Sequence, residues 1–216
     1  MSEHTYIKIF NPGVEKMKSE HQDYLCGFNA GEGFENFNDF ISCEAKTYEE
    51  EGNGVTYLIF NYIQGEDENI IDKQLVAYYT IATTSIPYVD RIRLDADEAR
   101  ELGKEFDETI CGIPSLEIKM FAVDCNYQDL FYEYEGESLP VSAWIIRQIV
   151  DRCLGMITNV VGFKAIFLHA IPSAESFYLR NGFNTVEKYM EPLYSVDQEF
   201  QAMYMALRNV HINQDE

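Results

Sequence analysis

Residues 116–123, Leu-Glu-Ile-Lys-Met-Phe-Ala-Val, begin by alternating and end in an unbroken apolar run, the pattern of a central strand buried on both faces of a sheet. From residue 141 to about residue 160 the apolar side chains Trp144, Ile145, Ile149, Cys153, Met156, Ile157 and Val160 recur at helical spacing, with Gly162 placed to close the helix. A second buried-strand run follows at residues 164–169. Strand, long core-packed helix and strand in that order require a mixed α/β fold.

The remaining segments fit around this centre. Residues 14–51 read as a pair of short helices broken by Gly27, Gly31 and Gly33, with Phe37, Phe40, Ile41 and Ala45 near helical spacing. Residues 55–60 and 74–81 are β-rich and are expected to pair as an antiparallel hairpin across the acidic loop QGEDENIIDK. Residues from about 94 to 110 carry strong helix formers behind an acidic start, and Gly112-Ile113-Pro114 ends the run, so an inserted acidic helix is expected there. A second acidic insertion, a loop, covers about 125–140. Pro172-Ser173 opens a short helix ending at Gly182, with Ser173 available to cap free amides, and residues 184–193 and 200–208 read as two final strands. No repeat or linker interrupts the 216 residues, which are read as one domain.

Sixteen Lys and Arg against 37 Asp and Glu give a net charge of -21, a field that repels nucleic acid and anionic lipid while favouring cationic partners. The N-terminus lacks a basic-then-apolar leader and no run is long enough for a bilayer span, so a cytoplasmic protein without membrane contact is expected. Cys26, Cys43, Cys111, Cys125 and Cys153 are odd in number and never spaced as C-x-x-C, which suits reduced thiols and gives no zinc site.

Ala174-x-x-Phe177-Tyr178-Leu179-Arg180-Asn181-Gly182-Phe183 resembles the Ala-x-x-Phe-Tyr-x-x-x-Gly-Phe signature of the GNAT N-acetyltransferases. Phe121-Ala122-Val123-Asp124 is similar to the central strand of that family. A looser likeness to its toxin-like branch runs through Cys26-Gly27, Phe40-Ile41, Ala45 and the strand ending Ala77-Tyr78-Tyr79-Thr80-Ile81. Together these cover about residues 24–207. The resemblance implies an acyl-CoA N-acyltransferase fold, a central mixed sheet flanked by helices, with acetyl-CoA as co-substrate.

Two departures stand out. The family's Arg/Gln-x-x-Gly-x-Gly/Ala pyrophosphate loop is replaced by CNYQDLFYEYEGESLPVSAW, in which Gly136 alone remains and Asp129, Glu133, Glu135 and Glu137 crowd the approach. If that loop swings outward, the amides of Val141, Ser142 and Ala143 can still cap phosphates. At Ile171 the family often has an Asn that hydrogen-bonds near the cofactor.

The resemblance gives roles to particular residues. Phe121, Ala122 and Val123 would bond the pantetheine arm, Ala174 and Phe177 would flank the cofactor, and Tyr178 would protonate the departing thiolate, a task suited to a phenol that stays protonated at neutral pH. The bland reading of Tyr178 is a core tyrosine under its helix. Glu117 is the candidate general base, against a salt-bridged strand residue; Lys119 shares its face. His169 could relay protons beside the acetyl site or serve structure alone. His4, His21 and His211 receive no role, and Cys125, in acidic surroundings, reads as inert. Tyr127, Phe131, Tyr132 and Tyr134 read as a lid or partner surface.

The expected activity is acetyl transfer to an amine, with a small-molecule or protein acceptor, cationic by charge complementarity. The alternative is a non-catalytic binding module that kept the fold and lost the phosphate cradle. A toxin-type aminoacyl-tRNA acetyltransferase follows from the N-terminal likeness, but the charge counts against it. Oligomeric state is left open, a homodimer being compatible with the sequence.

Overall fold

The computed structural model describes residues 5–7, 9–134, 136–186 and 200–207. Along the chain run β1 (Thr5–Tyr6), β2 (Pro12–Lys16), a 3-10 turn (Ser19–His21), α1 (Gln22–Leu25), α2 (Glu35–Asp39), a π-helical turn (Phe40–Glu44), α3 (Ala45–Glu50), β3 (Val55–Gln64), β4 (Ile70–Arg93), α4 (Ala96–Leu102) and β5 (Phe106–Val123). There follow β6 (Leu130–Tyr134), β7 (Glu137–Pro140), α5 (Val141–Asn159), β8 (Ala165–Ala170), a 3-10 turn (Pro172–Ala174), α6 (Glu175–Arg180), β9 (Asn184–Thr185) and β10 (Gln201–Ala206). Two compact units are distinguished, one of Met1–Ala82 with Ile118–Arg152, the other of Thr83–Glu117 with Cys153–Glu216.

In the first unit β2, β3 and the first part of β4 are antiparallel neighbours, with Val14 opposite Ile59 and Tyr57 opposite Tyr79. The Tyr57 and Tyr79 rings stack at 5.3 Å, and Thr56 and Thr80 bond through their buried hydroxyls at 2.8 Å, cross-strand pairs of the kind that stabilise a sheet. The expected hairpin is present, but its strands run on into both ends of the acidic segment and turn at residues 65–69, where Gly65 N donates to Asn69 O. Phe40, Ile41 and Ala45 face a core with Leu58, Phe60, Tyr78 and Ala122. The π-helical turn lies between α2 and α3 in this stretch.

The expected acidic loop at 125–140 is instead the hairpin β6-β7, with Phe131 opposite Pro140, and β1 adds to it in parallel. Gly136, at φ +82°, makes its turn. Of the aromatic residues read as a lid, Tyr127 and Tyr132 pack inward. Tyr127 is buried and donates to Gln74 Oε1 at 2.7 Å, and Tyr132 meets Phe10 edge-on at 4.9 Å. The side chain of Tyr134, and Glu135, lie outside the described residues.

In the second unit the expected helix over 94–110 is shorter. Asp95 caps α4 by accepting from Asp97 N and Glu98 N, and Gly103, at φ +65°, ends it. Residues from Phe106 onward are strand: Leu94 N donates to Glu105 O and Arg91 pairs with Glu108, so α4 is the tip of a long β4-β5 hairpin. Helix propensity at residues 106–109 is overridden by strand pairing.

β8 and β10 are antiparallel, Ala165 opposite Ala206, and β9 follows β10 at the edge. Lys164 N donates to Pro114 O, while Glu117 meets His169. These contacts advance in the same direction along both strands, so β5 and β8 are parallel. Ile86, Ala165, Phe167, Val186 and Ala202 form this unit's core.

Helix α5 ends at Asn159, and Gly162 is not in the left-handed region a closing glycine would use. Pro172 stands at the first helical position as expected, but Ile171 is the cap residue and no side chain caps the helix, Ser173 included. Of the strand expected over 184–193, Asn184–Thr185 is present, and residues 187–193 lie outside the described residues, as do Arg208, His4 and His211.

Candidate active site

α6 positions the first group of candidates. Phe177 and Tyr178 lie in α6, and Ala174 ends the 3-10 turn that leads into it. Tyr178 is buried, 8% exposed, with its ring edge-on to Phe177 at 5.2 Å and to Phe183 at 5.6 Å. The helix closes where Gly182 takes φ +87° and Phe183 N donates back to Tyr178 O. Burial raises the Tyr178 phenol above its usual 10, so the hydroxyl is held protonated over the working pH range. A phenol of that basicity hands a proton to a thiolate only uphill, and is better suited to hydrogen-bonding a sulfur on which charge develops.

Glu117 on β5 and His169 on β8 come together in the same unit. Glu117 is 5% exposed, and its Oε1 lies 3.3 Å from His169 Nδ1. The neighbouring Lys119 is exposed. His169 Nε2 is buried without a hydrogen-bond partner among the described residues. The sequence names both residues but nothing in it shows that they meet, since 52 positions separate them.

The other unit holds the candidates for cofactor contact. Phe121 is half-buried and Ala122 and Val123 are buried at the end of β5. Asp124 N donates to Val76 O on β4, so by strand alternation the Val123 carbonyl is directed to the opposite side. That carbonyl accepts from Gln128 Nε2 at 2.8 Å, and the same amide donates to Ala30 O. No sequence motif marks Gln128; its place depends on a turn in which the Asp124 carboxylate accepts from the amides of Asn29 and Asn126.

Val141, Ser142 and Ala143 form the first turn of α5, and that turn carries no acidic residue. Asp129, Glu133 and Glu137 are exposed, with Glu137 paired to Arg147 at 3.5 Å. The hairpin thus turns Glu133 and Glu137 to solvent, and the α5 amides suit a phosphate. Gly136 serves the hairpin turn and gives no cradle.

Among the described residues no group of His, Cys, Asp and Glu could hold a metal, and no helix is long and apolar enough to cross a membrane.

No protein-family model and no curated protein matches the chain in sequence. Solved structures do match in fold. A tyrosine-to-phenylalanine variant of KacT covers 90% of this chain and 94% of its own at 17% identity and a TM-score of 0.57. AtaTR bound with acetyl-CoA covers 90% and 93% at 19% identity and 0.57. AtaT complexed with acetyl-methionyl-tRNA covers 91% and 95% at 16% identity and 0.57. With these toxins as its structural neighbours, the chain has the GNAT-type acetyltransferase fold.

Proposed function

We propose that the protein is an acetyl-CoA-dependent N-acetyltransferase. The observation that carries this reading is the buried Tyr178 on α6, in a chain whose fold matches AtaTR bound with acetyl-CoA over 90% of its length. Acetyl-CoA supplies an activated acyl carbon on a sulfur leaving group. In the first unit, taken by itself, Val141, Ser142 and Ala143 offer amides suited to phosphates, and the β5 backbone at Phe121, Ala122 and Val123 offers groups suited to a pantetheine arm. Tyr178 hydrogen-bonds the departing sulfur, and Glu117 with His169 forms the proton-accepting side for the amine.

Calorimetry with acetyl-CoA, followed by thiol release over a panel of amines, tests the reading. Tyr178→Phe is expected to keep acetyl-CoA binding and lose about 100-fold or more in kcat. Full activity in that variant refutes the role of the phenol. Absence of acetyl-CoA binding in the unaltered protein refutes the enzyme reading in favour of a binding module.

AtaT complexed with acetyl-methionyl-tRNA favours a second reading of the acceptor, the α-amine of an aminoacyl-tRNA. Against it stands the net charge of -21. Lys16, Lys73, Arg91, Lys104 and Arg147 are also each within ion-pair distance of a carboxylate. Acetylation of methionyl-tRNA that weakens steeply with salt supports the tRNA acceptor; transfer to free amines alone supports a small cationic acceptor.

A further inference from the structure

In the second unit the β4-β5 hairpin outruns its neighbours. β8 meets β5 where Lys164 N donates to Pro114 O, and it runs from there away from the hairpin tip. Three contacts fix the register of the ribbon on the tip side of that point: Leu94 N donates to Glu105 O, Arg91 pairs with Glu108 at 3.0 Å, and Tyr88 meets Cys111. Leu94 and Glu105 turn their peptide groups toward each other, so by alternation Phe106, Glu108 and Ile110 turn theirs outward. Pro114 belongs to the same outward series, so the row of groups that β8 uses continues past the start of β8 toward the tip. Among the described residues no other strand borders β5 there, and every residue from Glu105 to Ile110 is exposed. Ile110 is 62% exposed and Phe106 42%. A two-stranded ribbon with open edges and uncovered apolar side chains is marginal in water, and a further strand is what completes it.

We propose that the outer edge of β5, from Glu105 to Ile110, takes an extended strand of a partner protein in which apolar residues alternate with Lys or Arg. The added strand bonds the outward peptide groups; its apolar side chains cover Phe106 and Ile110 on one face, and its cations meet Glu105 and Asp107 on the other. Charge selects this occupant over a second copy. Between residues 88 and 111 eight carboxylates stand against four basic residues, in a chain of net charge -21, so two copies repel where a basic strand is drawn in. Asp107 already meets Lys104 at 2.7 Å, but both side chains are about half exposed, and a surface pair of that kind exchanges partners at little cost. The inference concerns a surface outside the acetyl-transfer residues and stands apart from the acetyltransferase reading.

The probe is a peptide of about ten residues alternating Val and Lys, long enough for one strand, with alternating Thr-Lys and Val-Glu peptides as controls. Hydrogen exchange followed by NMR on the whole protein should show the Val-Lys peptide slowing the amides of Phe106, Glu108 and Ile110 about 10-fold or more, and those of Asp107 and Thr109 less. Phe106→Ser combined with Ile110→Ser should weaken binding about 10-fold or more, and added salt should weaken it in the unaltered protein. If that double variant does not fold, Glu105→Gln with Asp107→Asn replaces it, with a loss of about threefold or more expected. No slowing at the three outward amides overturns the proposal, as does unchanged affinity in the variant that is used. Equal affinity for the Thr-Lys peptide reduces the effect to general attraction of cations, and equal affinity for the Val-Glu peptide removes the role of charge; either result overturns it. Sedimentation of the protein alone closes the test: a dimer that is lost in whichever double variant folds gives the edge to a second copy and overturns the basic partner.

Discussion

Glu15, on β2, joins three elements of the first unit. Its carboxylate accepts from Tyr62 OH at 2.6 Å, from Lys73 Nζ at 2.7 Å and lies 3.0 Å from His21 Nε2. Desolvation alone would raise its pKa; the bonds from Lys73 and Tyr62 and the nearby cationic charge overcome that and lower it from 4.5 to about 2. A carboxyl so displaced contributes about 3 kcal/mol to folding at neutral pH. The side chain keeps 26% exposure, and screening by water reduces the figure to about 2 kcal/mol.

The sign follows from the depressed value: the unfolded chain binds the proton more readily, so the contribution is complete above about pH 5 and is lost as pH falls toward 2. Glu15→Gln should therefore be less stable than the parent by about 2 kcal/mol in urea unfolding at pH 7, and by less than half of that at about pH 3. The same comparison cancels the titration of the other carboxylates. A gap of equal size at both pH values, or no gap at pH 7, would refute the reasoning.

Three further outcomes follow. Burial raises the phenols of Tyr78 and Tyr178 above the ordinary 10, so the unfolded chain loses these protons first and stability should fall as pH rises beyond about 10; a flat urea midpoint from pH 8 to about 11 contradicts this. Gly182→Ala forces a side chain into φ +87° with its Cβ 3.4 Å from Met205 Cε, and should cost about 1–2 kcal/mol by thermal unfolding; an unchanged melting temperature shows that the α6 closure relaxes freely. Gln128→Ala releases the Val123 carbonyl, so calorimetry should show tighter acetyl-CoA binding, and equal or weaker binding means that this carbonyl does not serve the pantetheine.

What the sequence determined by itself is the set of elements whose signal is local. The apolar run 116–123, the helical stripe after residue 141, the run at 164–169 and the β3-β4 hairpin are all written in the spacing of neighbouring residues, and each is present. The short helix that carries Phe177 and Tyr178 is legible for the same reason, opened by Pro172 and closed by Gly182. Tertiary structure decided the rest, where local preference is weak or divided. β2 contains Pro12 and Gly13, poor strand formers, and exists because β3 offers it a partner. The helical signal before Gly112 gives way beyond Gly103 because residues 106 onward pair as strand. The acidic segment after residue 125 becomes a hairpin that directs Glu133 and Glu137 to water. The junction of Glu117 with His169 and the bond from Gln128 to Val123 depend on strand register and on a turn closed by distant amides. Such contacts are fixed only when the chain's long-range pairings are made, and no window of neighbouring residues contains them.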